Sequence, residues 1–188
     1  MNNANAHDAS CTCLSLLFAF LTGCTAPSPE IEVISLEAVD VSSVRFSHEV
    51  ENAIEKASSF SLVSVDPQDW EAEEIATIAS VPTGDYVRQW KILGKREIDN
   101  GKVVDVLHAL KAGIALHDES VIPDCFNPRH AIQIHASNAL IEALICYECK
   151  QIMFFENGEL ISNVATSDSP RAYFEQLVRD LGLPSPTR

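Results

Sequence analysis

HAIQIHASNALIEALICYEC, residues 130–149, is the stretch whose reading decides the fold. Ser137-Asn138 is read as a two-residue hairpin turn between two strand-like runs. That turn sets Ile134 opposite Ile141, Ile132 opposite Ala143 and His130 opposite Ile145. On the other face Gln133 meets Glu142 and His135 meets Leu140. The first set is mostly apolar, as a buried face requires, because strand side chains alternate with a period of two.

Moving outward, Cys146-Tyr-Glu-Cys149 is followed by a further strand-like run, Gln151 to Phe155. The pair therefore reads as a knuckle between two strands, the arrangement of zinc ribbons. A thioredoxin-like CxxC instead opens a helix, whose dipole lowers the thiol pKa. Asn157-Gly158 is a strong hairpin turn that closes a meander over Ala131–Val164. Phe60–Val65 and Tyr86–Leu93 read as further strands, the latter with Tyr86, Trp90 and Ile92 on one face.

Helices are expected over Ser47–Ala57 and from an Asp66-Pro67 start to about Ala79. Glu71, Glu73 and Glu74 lie near that second start, where the helix dipole accounts for them without a metal or acid–base role. After an Asp99-Asn100-Gly101 turn, Val103, Leu107, Leu110 and Ile114 recur at helical spacing, with Gly113 as a cap and His108 off the stripe. The C-terminal helix is the clearest element. Ser169 caps it, Pro170 starts it, Phe174, Leu177, Val178 and Leu181 form its face, and Gly182 stops it. Ile31–Val44 is apolar but irregular, and no element is assigned to it. The expected class is α+β: an antiparallel sheet of about five strands, helices packed on one face, and the CxxC knuckle in a strand-turn-strand.

The candidate chemistry lies in Cys125-Phe-Asn-Pro-Arg-His130 and Cys146–Cys149. The hairpin brings His130 to the knuckle end of the sheet, and the Asn127-Pro128 turn folds Cys125 back to the same place. Cys125, His130, Cys146 and Cys149 are thus expected to converge as a tetrahedral Cys₃His site for zinc, with C-x₄-H and C-x₂-C spacing. Arg129 is either a counter-charge to three thiolates or an exposed turn residue. Two other readings stay open. An exported protein can oxidise Cys125 with Cys146 or Cys149, leaving one thiol over. A redox or nucleophilic thiol is the third, although no Asn or Asp is placed to orient the imidazole. A metal-buffering or metal-sensing role belongs to the same residues.

WKILGK (90–95), CFNPRHAI (125–132), ICYEC (145–149) and SPRAYFEQLVRDLGLP (169–184) resemble a family of uncharacterised bacterial proteins, many of them short predicted lipoproteins. The similarity covers roughly 60–184, and its most specific part is CFxPRH with CxxC. It implies that the Cys/His group is a shared feature; it implies no activity, substrate or cofactor. Ala131 stands where the family pattern has Gly, which alters the turn after His130 and leaves the ligand set intact.

At the N-terminus, Cys13–Leu21 is a nine-residue apolar run, too short to span a bilayer and right for a signal-peptide core. It leads into Leu21-Thr22-Gly23-Cys24, which resembles the lipobox of bacterial lipoproteins, with Cys24 as lipid acceptor. The region before the run lacks Lys and Arg, unlike ordinary signal peptides, and the alternatives are an apolar helix packed on the domain or a misassigned start. The expected organisation is residues 1–23 as signal, 24–30 as a Pro-containing tether and 31–188 as one α+β domain. Its place is the cell envelope, lipid-anchored to a membrane through Cys24 and facing the periplasm or exterior. No later run of 18 or more apolar residues occurs in the chain, so no transmembrane helix is expected.

The 188-residue chain carries 13 basic and 27 acidic residues, a net charge of −14. Loss of the first 23 residues removes only Asp8 and leaves −13. With no basic cluster, nucleic acid is not an expected partner, because such binding needs Lys or Arg to displace counterions. The residues point to no particular protein partner. Gly-rich phosphate loops, HExxH and G-x-S-x-G are absent from the sequence, so the expectation leans away from an enzyme.

Overall fold

Alternating apolar side chains set the strands, and the turns between them set the order of the sheet. The computed structural model describes residues 35–67, 86–118 and 125–186. The chain divides into two units, Met1–Val33 and Ile34–Arg188, and everything described belongs to the second. The expected export segment with Cys24, and residues 68–79 of the helix expected from Asp66-Pro67 to about Ala79, lie outside the described residues.

After a single 3₁₀ turn at Leu36–Ala38 come α1 (His48–Glu55), β1 (Ala57–Val65), β2 (Tyr86–Val87), β3 (Trp90–Ile98) and α2 (Asn100–Ala115). The meander β4 (His130–Ala136), β5 (Leu140–Cys146), β6 (Gln151–Glu156) and β7 (Glu159–Ala165) follows, and α3 (Arg171–Asp180) completes the order. The fold is α+β, a seven-stranded antiparallel sheet in the order β2-β3-β1-β4-β5-β6-β7, curled into a half-barrel with three helices. The pairing of β4 with β5 has the register expected from the Ser137-Asn138 turn, from His130–Ile145 through to His135–Leu140.

Each face of the sheet has its own core. Leu62, Ile132, Ile134, Ile141 and Ile145 face one side, where α1 contributes Val50, α2 Val106 and Leu110, and α3 Phe174. The opposite face carries a smaller cluster of Val63, Val65, Val87, Trp90, Ala131 and Leu144. The curl shows in Arg88, which reaches from the β2–β3 turn to within 5.0 Å of the Phe155 ring centroid on β6. All three helices place buried residues in the first core, so among the described residues they pack on one face.

Several expected elements are redrawn. Tyr86–Leu93 is not one strand: Arg88 adopts a left-handed conformation (φ 56°) and turns the chain between β2 and β3. This split and the four-strand meander make seven strands where about five were expected. Asp99-Asn100-Gly101 is a helix start, because the Asp99 carboxylate accepts from the Lys102 N–H (3.1 Å) and caps α2. Gly113 is inside α2, not at its end. A Cβ there would lie 2.8 Å from Pro170 Cγ and against Thr166 Oγ1, so the missing side chain allows α2 to approach the segment before α3. Ser169 does not cap α3; its hydroxyl lies against that of Ser167 (2.5 Å), and Pro170 occupies the cap position. The helix ends as expected at Gly182 (φ 63°), with the Leu183 N–H bonded to Val178 O at 2.9 Å.

Candidate functional site

Cys146 is the last residue of β5, and Tyr147–Lys150 turn the chain into β6, where Gln151 pairs back to Cys146. Lys150 takes a left-handed conformation (φ 50°) to close this turn. The Cys149 N–H donates to Cys146 Sγ at 3.1 Å, a bond that fixes the knuckle. Cys146 and Cys149 are buried (1% and 0% exposed), whereas Cys125 is exposed, and all three are free thiols. The side chains of Cys125 and Cys146 and the Asn127 backbone N–H all act on the Cys149 thiol. Burial first, and then the two neighbouring thiols, push its pKa up; the Asn127 N–H draws it the other way.

Cys125 and Cys146 therefore neighbour Cys149, but the four expected ligands do not come together, and His130 is the one set apart. In β4, His130 shares its face with Ile132 and Ile134, toward the helices. In β5, Cys146 shares its face with Leu144, on the opposite side. The hairpin does set His130 across from Ile145, but the next residue of a strand points the other way. His130 is thus at the expected end of the sheet and on the wrong side of it for the thiols. The alternation that supplied the register already contained this result. Among the described residues no group of three or more His, Cys, Asp or Glu side chains is arranged to hold a metal ion. His135 lies at the far end of the hairpin, its Nε2 3.4 Å from Lys95 Nζ.

The two sequence motifs clasp each other residue by residue. Cys125 meets Cys149. Arg129 Nη2 donates to Glu148 at 2.9 Å, so its partner is a knuckle carboxylate and not the thiols. His130 packs on Tyr147, with ring centroids 6.1 Å apart, and both rings lie 6.1 Å from Phe174 of α3. Backbone bonds from Arg129 N to Ile145 O and from Val65 N to Arg129 O seat the loop on the sheet.

His130 is the feature that sequence reasoning placed in the wrong company. It is 1% exposed, and neither ring nitrogen has a hydrogen-bond partner among the described residues; the Tyr147 hydroxyl and Arg129 Nε are in the same position. An unpaired buried polar group costs about 1–3 kcal/mol. Burial lowers the His130 pKa to about 4; Glu175 opposes this and Arg129 and Arg171 add to it, so the imidazole is neutral. Beside it lies a cavity of about 220 Å³ lined by Arg129, His130, Glu175, Val178, Arg179 and the Ser185-Pro186 segment. Glu175 accepts from Arg171 Nε (2.8 Å), and Arg179 donates to Gln176 Oε1 (2.8 Å). No periodicity or spacing pointed to this cavity, because its walls come from the start of β4, one face of α3 and the chain after α3.

Comparison with known proteins returns nothing. No family model matches the chain, no curated protein matches it, and no solved structure matches it. The resemblance to bacterial lipoproteins rests on the quoted motifs alone. Among the described residues no helix is long and apolar enough to cross a membrane.

Proposed function

We propose that this chain is a non-catalytic domain of the cell envelope, anchored to a membrane by lipid on Cys24 and cross-linked at its knuckle by a Cys125–Cys149 disulfide. The anchor is supported by Leu21-Thr22-Gly23-Cys24 after a nine-residue apolar run. One observation carries the cross-link: the Cys125 side chain neighbours the Cys149 thiol closely enough to raise its pKa, while His130 packs against Phe174 on the other side of the sheet. Each thiol gives up its hydrogen, and the pair's two electrons pass to the thiol oxidants of an exported compartment. Cys146 keeps its hydrogen and stays buried on the Cys149 N–H. His130 packs against Phe174 on the opposite face and does not stand beside the thiols as a base, which disfavours a nucleophilic cysteine.

Zinc held by Cys125, Cys146 and Cys149 is the second reading. It is favoured by the backbone N–H groups of Cys149 and Asn127, donors that suit thiolate sulfur. Its weakness is the fourth position, since His130 reaches it only by leaving the helix-side core. Intact and peptide mass spectrometry of the membrane-extracted protein separates these readings. The expected result is a lipid adduct on the Cys24 peptide, a Cys125–Cys149 cross-linked peptide and one alkylatable thiol at Cys146. A bound metal with three alkylatable thiols after denaturation selects zinc. Three free thiols without metal overturn both, and an unmodified Cys24 overturns the anchor.

A further inference from the structure

The cavity beside His130 is built from groups whose hydrogen-bonding capacity the protein itself leaves unused. His130 lines it, is 1% exposed, and has both ring nitrogens unpaired. Arg129, on the same wall, spends Nη2 on Glu148, while its buried Nε–H has no partner. Arg179 stands on the α3 wall and is bonded to Gln176, a neutral acceptor. Glu175 is paired with Arg171.

We propose that this cavity binds a small monocarboxylate, its carboxylate held by Arg129 and Arg179 and its remaining polar group by the His130 imidazole. The charge of the lining selects the class. Arg129 is paired with Glu148 and Glu175 with Arg171, so Arg179 leaves a single net positive charge, which complements a monoanion better than a dianionic phosphate. Guanidinium edges present parallel N–H groups that match the two oxygens of a carboxylate. A neutral imidazole offers one donor and one acceptor, so it suits a hydroxyl or carbonyl next to that carboxylate. Size limits the choice as well: 220 Å³ is the space of about seven waters, enough for a molecule of a few carbon atoms. Val178 supplies an apolar wall for its hydrocarbon part. The cavity lies on the helix-covered face, opposite the thiols, so its occupancy requires neither the anchor nor the disulfide.

The test uses the full chain with the histidine rings ¹⁵N-labelled, titrated separately with acetate, lactate, benzoate and inorganic phosphate. The expected result is a saturable shift of the His130 ring nitrogens with at least one carboxylate, and tighter binding of lactate than of acetate. Arg179→Ala changes an exposed residue that leaves the core intact, and is expected to weaken that binding by about tenfold or more. His130→Phe should abolish the preference for lactate over acetate while retaining part of the affinity. The proposal is overturned if none of the three carboxylates gives a saturable shift, or if Arg179→Ala binds as tightly as the parent. Tighter binding of phosphate than of every carboxylate overturns the assigned class.

Discussion

Protonating His130 puts a charge beside Tyr147 and Phe174, where neither ring nitrogen has a hydrogen-bond partner among the described residues. The folded-state pKa is about 4 against an ordinary 6.5. Between those values the unfolded chain holds a proton that the folded chain does not, so stability rises with pH across that window. The contribution is complete above about pH 6.5, declines as the pH falls through the window, and is gone below about pH 4. At 1.36 kcal/mol per pH unit this single group accounts for about 3 kcal/mol. Carboxylates also titrate toward the acid end, so the effect is isolated by difference. His130→Phe keeps a ring of similar shape and deletes both unpaired nitrogens; at neutral pH it should be as stable as the parent or more so. Urea unfolding followed by tryptophan fluorescence, at four pH values across the window, should show the parent losing about 3 kcal/mol more than the variant. Parallel losses, within about 0.5 kcal/mol at every pH, would refute the argument, as would a His130 pKa near 6.5 by NMR.

Three further substitutions probe the frame around the site, each read by equilibrium unfolding. Gly113→Ala should destabilise by about 1–3 kcal/mol although alanine favours helices, because the new methyl meets Thr166 and Pro170. Gln133 donates to Glu142 at 3.0 Å across the β4–β5 pair, and both are buried. Gln133→Leu should cost about 2–3 kcal/mol by stranding the carboxylate, and Gln133→Leu with Glu142→Leu should cost less than that single change. Gly158 sits at φ 98° with Arg88 packed over it, so Gly158→Val should cost about 1–3 kcal/mol. The same change should free Arg88 from Phe155, and an unaltered Phe155 ring environment by NMR would contradict the placement of Arg88.

The sequence by itself determined the parts of this protein that depend on neighbours along the chain. Two-residue turns at Ser137-Asn138 and Asn157-Gly158 and the period of two in Ile132, Ile134, Ile141 and Ala143 set the register of the meander. The apolar stripe of Phe174, Leu177 and Val178 defined the last helix, and the CxxC pair was legible as a knuckle between strands. The N-cap at Asp99 and the left-handed Arg88 were misread because Asp-Asn-Gly and an apolar alternation each suit two local structures. The tertiary structure decided which groups wall the cavity, while the separation of His130 from Cys146 was already implicit in the alternation of the paired strands. Strand pairing brought His130 level with the knuckle, yet alternation turned it to the helix-covered face while the thiols stayed on the other. The cavity it lines was invisible in the sequence for a related reason. Its walls are some fifty residues apart in the chain and meet only because α3 packs across the end of β4.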